Sequence, residues 1–232
     1  AGFTIIGTYV GMIFTAMGTD YYPRLAAVAH SNELCKRSMN QQAEIALLIL
    51  APILIAFLVF INWAVILLYS TQFIAVTGMV YWAALGMFFK AGSWAVAFVF
   101  LAKGASRLFF WNEFIGSFYT LLFNILGYHF YGLTGLGFSF LITYIVYLIQ
   151  VYVIVKIKYE FSFNRSFLIM FVIQFSFALI SFASVKFLQQ PYPYIVGVIL
   201  IIISLWYSVN ELEKRLALKQ VVRDFFEKRK KK

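Results

Sequence analysis

The sequence predicts an all-α polytopic membrane protein of about seven transmembrane helices, and three observations carry that expectation. Of 232 residues, 63% are apolar or aromatic and only 12% charged. Soluble domains carry about 25% charged residues, so this chain cannot cover a water-facing surface. The apolar residues, among them 27 Phe, lie in long uncharged runs rather than in one anchor. Finally, Lys and Arg are crowded into alternate connections between those runs, as they are in multi-pass chains.

Seven spans follow in order, with approximate limits Gly2–Ala16, Ala43–Leu68, Ile74–Ala102, Phe114–Tyr128, Leu133–Val155, Phe167–Val185 and Tyr194–Ser208. Span one carries Thr4, Gly7, Thr8, Gly11 and Thr15 on one stripe. Such a stripe suits close helix packing, with cavity lining as the second reading. Pro52 is expected to kink span two. No formal charge occurs from Phe114 to Val155. A single helix of that length would run about 63 Å, twice a bilayer core of about 30 Å. The run must therefore turn, and Tyr128-His129-Phe130-Tyr131-Gly132 is the place. Its aromatic rings suit the headgroup level and Gly132 permits a tight bend. Further turns fall at Tyr69–Gln72 and at Gln189–Pro193.

The connections after spans one, three and five hold Arg24, Lys36 and Arg37, then Lys103 and Arg107, then Lys156, Lys158 and Arg165. With nine Lys and Arg from Lys214 to Lys232, seventeen cations fall on one side, against Lys186 alone on the other. That bias predicts a cytoplasmic C-terminus and an external Ala1. A chain that starts outside without a leader is expected to have lost at least one earlier helix. Residues 1–208 form the membrane region. Residues 209–232 form a basic amphipathic tail with pairs Glu211/Arg215, Asp224/Lys228 and Glu227/Lys231, which either attracts anionic lipid or acts as a positive-inside stop. The positive balance sits in membrane flanks and does not point to nucleic acid.

Few residues are candidates for chemistry. Cys35, His30 and His129 cannot build a tetrahedral metal site, and no cofactor is implied. His129 reads as an interfacial side chain at an outer turn. All nine carboxylates are expected at or beyond cytoplasmic span ends. Lys90 is the one charge deep inside a span, where exposure to lipid costs about 2.5–3.5 kcal/mol. Its helical neighbours Ala83, Gly86, Met87, Ser93, Trp94 and Ala97 are mostly small, which places it toward the bundle interior. It is either a cation in a cavity that meets an anionic headgroup or a lysine held by backbone carbonyls or snorkelling. Arg24 either meets phosphate or anchors the cytoplasmic end. Gln150 and Gln174, with Asn62 and Asn124, are candidates for hydrogen bonds between helices.

Three stretches carry a family resemblance: Ala16-Met-Gly-Thr-Asp-Tyr-Tyr-Pro-Arg-Leu-Ala-Ala-Val28, Leu101-Ala-Lys-Gly-Ala-Ser-Arg107 and Tyr131-Gly-Leu-Thr-Gly-Leu-Gly137. They resemble the C-terminal half of O-antigen translocases, the polysaccharide-biosynthesis flippases of the multidrug/oligosaccharidyl-lipid/polysaccharide exporter superfamily. The resemblance implies the second lobe of a two-lobe transporter plus two accessory helices, working with an N-terminal lobe in the bacterial inner membrane. It implies alternating access without covalent chemistry, and an undecaprenyl-diphosphate-linked glycan as substrate. Lys90 and Arg24 would then be the cationic substrate contacts, and Thr4, Thr8 and Ser93 cavity-lining residues. A drug/cation antiporter of the same fold is the alternative, disfavoured because no intramembrane carboxylate is expected. A membrane enzyme is weaker still, for want of a buried histidine or paired carboxylates.

Overall fold

The computed structural model describes residues 2–68 and 71–216, with the side chains of 2–6, 8, 9, 68, 71–73 and 216 outside that description. The described residues form α1 (Gly2–Ala27), α2 (Asn32–Leu68), a 3-10 helix (Thr71–Val76), α3 (Thr77–Ala102), α4 (Ser106–Tyr159), α5 (Arg165–Phe187) and α6 (Tyr192–Leu216). Five of them, α2 to α6, are long and apolar enough to cross a membrane. The 54 residues of α4 are broken at Gly132, whose φ of 56° and ψ of −139° are non-helical. That conformation is open almost only to glycine, so the expected turn falls where the sequence places it. The two arms, α4a (106–131) and α4b (133–159), fold back on each other, giving α4 two passes. With α1, seven helical segments stand in the predicted order.

Glycine sets how closely the arms approach. A Cβ on Gly135 would lie 1.8 Å from the Gly127 carbonyl oxygen, and Ser139 Oγ donates across the hairpin to Phe123 O at 2.6 Å. Gly137 presses on the Met79 carbonyl in the same way, and Gly86 on Phe140 and Leu141, so α3 lies tightly along α4b. Close van der Waals approach is the main source of helix association where lipid is as apolar as the side chains. At the other face of α3, the buried Tyr21 hydroxyl of α1 donates to Ala95 O at 2.6 Å.

The core centres on α2 and α3, which are largely buried, while α5 and α6 cover the outer side of α2. Gln174 of α5 donates to Ser208 Oγ at 2.9 Å and accepts from Ser204 Oγ at 2.7 Å, the interhelical role its sequence position suggests. Large apolar side chains such as Phe118, Ile125, Val172, Ile202 and Trp206 are exposed along α4, α5 and α6. They form the apolar exterior of a membrane bundle.

Three expectations change. Helix α1 runs through Asp20–Arg24 to Ala27, and α2 begins at Asn32, so the first basic connection is helical for most of its length. Gly7 and Gly11 have nothing within 4 Å of an added Cβ, so no helix packs on that stripe among the described residues. Helix α6 runs past Ser208 to Leu216, where Arg215 pairs with Glu211 as predicted. The pairs Asp224/Lys228 and Glu227/Lys231, and residues 69 and 70 of the expected turn, lie outside the described residues.

Candidate substrate cavity

The fold brings the predicted basic connections to one end of the bundle. Lys103 Nζ donates to Ala29 O at 2.7 Å, Asn40 bridges α2 to the α4–α5 connection, and Arg215 of α6 pairs with the buried Glu44 of α2 at 2.6 Å. Asn164, which caps α5 through Phe167 N, also donates to Glu44 Oε1. Arg24 belongs to this end. It pairs with Asp20 at 2.8 Å, donates to Gln42, and is not among the residues that line the cavity around Lys90.

That cavity lies between α3 and the α4 hairpin and has a volume of about 440 Å³, within the usual range for small-ligand sites. Lys90 and Ser93 of α3, Glu113 of α4a and Thr143, Tyr144 and Tyr147 of α4b line it. Lys90 sits about 18 Å up α3 from its Ala102 end, at helical rise. Its ammonium lies 5.1 Å from the Tyr144 ring centroid, 5.6 Å from Phe14 and 5.9 Å from Phe140, distances at which a cation is attracted to ring faces. No carbonyl accepts from it and no carboxylate pairs with it among the described residues. Of the two readings of Lys90, the one in which backbone carbonyls hold it is therefore not what the geometry shows.

Ser93 lines the cavity, its hydroxyl donating to Lys90 O at 3.1 Å. Thr4 and Thr8 lie on α1 with their side chains outside the described residues. Thr15 lines a second groove between α1 and α3, of about 470 Å³, which shares Trp94, Phe98 and Leu101 with the first. The two spaces thus flank one aromatic face of α3, where the Trp94 ring lies 5.2 Å from a tilted Phe14 ring and 5.1 Å from Phe98, edge to face.

The sequence reading missed Glu113. Rather than ending a span, it stands about 10 Å along α4a from Ser106 and lines the cavity with Lys90. Asn112 Nδ2 donates to Glu113 Oε1 at 3.0 Å, and the Tyr147 hydroxyl donates a short bond to the same oxygen. Gln150 Nε2 in turn donates to Asn112 Oδ1 at 2.8 Å, so the Gln150 expectation of an interhelical bond holds. Glu44 is also buried inside the helical region rather than left at a solvated end.

No protein-family model matches the sequence, and no curated protein matches it. Among solved structures the chain is similar to the lipid II flippase MurJ in its inward closed conformation, with a TM-score of 0.63 and 13% identity over 90% of this chain and 47% of that one. The chain spans about half the length of that structure. At this identity the likeness is one of fold: the all-helical bundle shares the architecture of about half of that structure.

Proposed function

We propose that the chain is the C-terminal lobe, with two accessory helices, of a flippase that carries an undecaprenyl-diphosphate-linked oligosaccharide, an O-antigen or related polysaccharide repeat unit, across the bacterial inner membrane. The observation that carries the reading is Lys90, an ammonium in a ring-lined cavity within the span with no carboxylate paired to it among the described residues. A compact cation in a low-dielectric recess is a strong attractor for a diphosphate, and water there screens little. An N-terminal lobe would close the path from the open side of α1, where Gly7 and Gly11 are uncovered, and rocking of the lobes would alternate access without covalent chemistry. A cytoplasmic C-terminus, which the Lys and Arg bias of the connections supports, belongs to the same reading.

A drug/cation antiporter of the same fold draws on one observation, Glu113 in the cavity, because such transporters need an intramembrane carboxylate. The experiment compares Lys90→Met and Lys90→Arg in the full-length protein, at matched levels, in a strain lacking its own flippase. Loss of one charge-assisted contact of about 1.5–3 kcal/mol predicts a ten- to hundredfold fall in surface glycan delivery for Met and a smaller fall for Arg. Full complementation by Lys90→Met refutes the reading. Cation-driven drug efflux that is lost with Glu113→Gln, while glycan export stays absent, selects the antiporter.

A further inference from the structure

The cavity carries opposite chemistries at its two sides, and they do not neutralise each other. Lys90 on α3 and Glu113 on α4a both line it, yet neither enters an ion pair among the described residues. Glu113 is fixed through one oxygen only. Asn112 and Tyr147 both donate to Oε1, and Gln150 locks Asn112 from behind, while Oε2 has no hydrogen-bond partner among the described residues. A carboxylate oxygen aimed by its sibling's bonds and left free is a ready acceptor, and strong when the donor is desolvated with it.

A second observation, independent of the carboxylate, points to a ligand at the same place. Thr143 is only 6% exposed, lines the cavity one helical turn from Tyr147, and its Oγ1 has no partner. Buried hydroxyls are nearly always satisfied, because leaving one unmade costs about 1–3 kcal/mol. Its neighbour Ser139 bonds two carbonyls, so the hairpin offers partners where none are reserved.

Resting on the flippase reading, we propose that the cavity is two-ended: Lys90 takes the anionic carrier, and Glu113 Oε2 with Thr143 Oγ1 takes hydroxyl groups of the first sugar. A diphosphate would be repelled by the carboxylate, so the anionic end is confined to Lys90. Sugar hydroxyls, which both donate and accept, match a free carboxylate oxygen and a free threonine hydroxyl. The aromatic face of Trp94 beside them suits the apolar face of a pyranose ring. The lobe thus distinguishes a glycosylated carrier from the bare one, which a cation alone cannot do.

The test uses the purified full-length protein in nanodiscs and two probes, a short-chain polyprenyl diphosphate and the same carrier bearing one hexose. Wild type is expected to bind the hexosyl probe more tightly. Lys90→Met should weaken both probes by similar factors. Glu113→Gln should weaken the hexosyl probe about tenfold while the bare carrier binds as tightly as before or more tightly, since a like charge is removed, and Thr143→Val should weaken the hexosyl probe a few-fold without weakening the bare carrier. Retained binding of the bare carrier by these two variants also shows that they are folded. If Glu113→Gln shifts both probes equally, Glu113 is a counter-charge for Lys90 and the sugar assignment is wrong. Equal wild-type affinity for the two probes overturns it as well. Wild-type protein that binds neither probe overturns the flippase reading itself, and the inference with it.

Discussion

Adding one methyl group at Gly135 tests whether the α4 hairpin is held by backbone contact. The new Cβ would sit 1.8 Å from Gly127 O and 3.0 Å from Tyr131 Cβ, whereas ordinary contact starts near 3.4 Å. The obstruction is backbone, so no rotamer relieves it and the arms must separate by about 1.6 Å. The Ser139–Phe123 bond, 2.6 Å now, would then exceed hydrogen-bond range. Overpacking costs about 1–3 kcal/mol and the lost interhelical bond about 1 kcal/mol more, so Gly135→Ala should destabilise by about 2–4 kcal/mol. That loss is read as a lowered melting temperature in thermal unfolding of the full-length protein in detergent. Gly92→Ala, within α3, is the internal control: its added Cβ would meet only ordinary van der Waals contact at 3.5 Å, and replacing glycine in a helix gains about 1 kcal/mol or less. If Gly135→Ala melts with the wild type, the arms do not meet through Gly127 and Gly135, and the positions assigned to Glu113 and Tyr147 fall with them.

Other perturbations reach the basic end of the bundle and the topology. Glu44→Leu leaves Arg215, 15% exposed, with only Glu211 and Ser166 to hold it, and should cost about 3 kcal/mol in thermal unfolding. The double substitution Glu44→Leu with Arg215→Met should recover most of that, since it removes both buried charges, and no recovery would show that the pair does not act as a unit. Single cysteines at Ser106 and Gln190, in a Cys35→Ser background, should be labelled by an impermeant thiol reagent in intact cells only at Gln190. Labelling at Ser106 instead would invert the orientation drawn from the Lys and Arg bias.

Much of the fold was legible because lipid enforces simple rules. A charge-free run too long for one pass had to turn, and the one glycine flanked by interface aromatics is where it does. Lys90 was legible for the same reason, as a charge with no inexpensive way to face lipid. Arg24 marks where such rules stop, because a cation near a span end reads the same whether it faces a substrate path or anchors the helix, and here it pairs with the carboxylate one turn earlier on a helix that runs on. The Gly7–Gly11 stripe showed only that close approach was sterically open, which says nothing of whether a partner is present.

Glu113 escaped for a more instructive reason. A span limit set where charge stops puts the carboxylate beside Phe114 outside the span, whatever its surroundings. Yet the helix starts at Ser106, and a carboxylate can enter a span wherever polar partners travel with it. Those partners were in the sequence. Once the turn is set near residue 131, an antiparallel hairpin pairs residues equally distant from it, which brings 112 and 113 opposite the stretch from 147 to 150. Tyr147 and Gln150 are the polar side chains waiting there, and the hydrogen bonds follow that register. Reflecting each polar residue across a predicted turn therefore finds intramembrane networks that a scan for isolated charges overlooks.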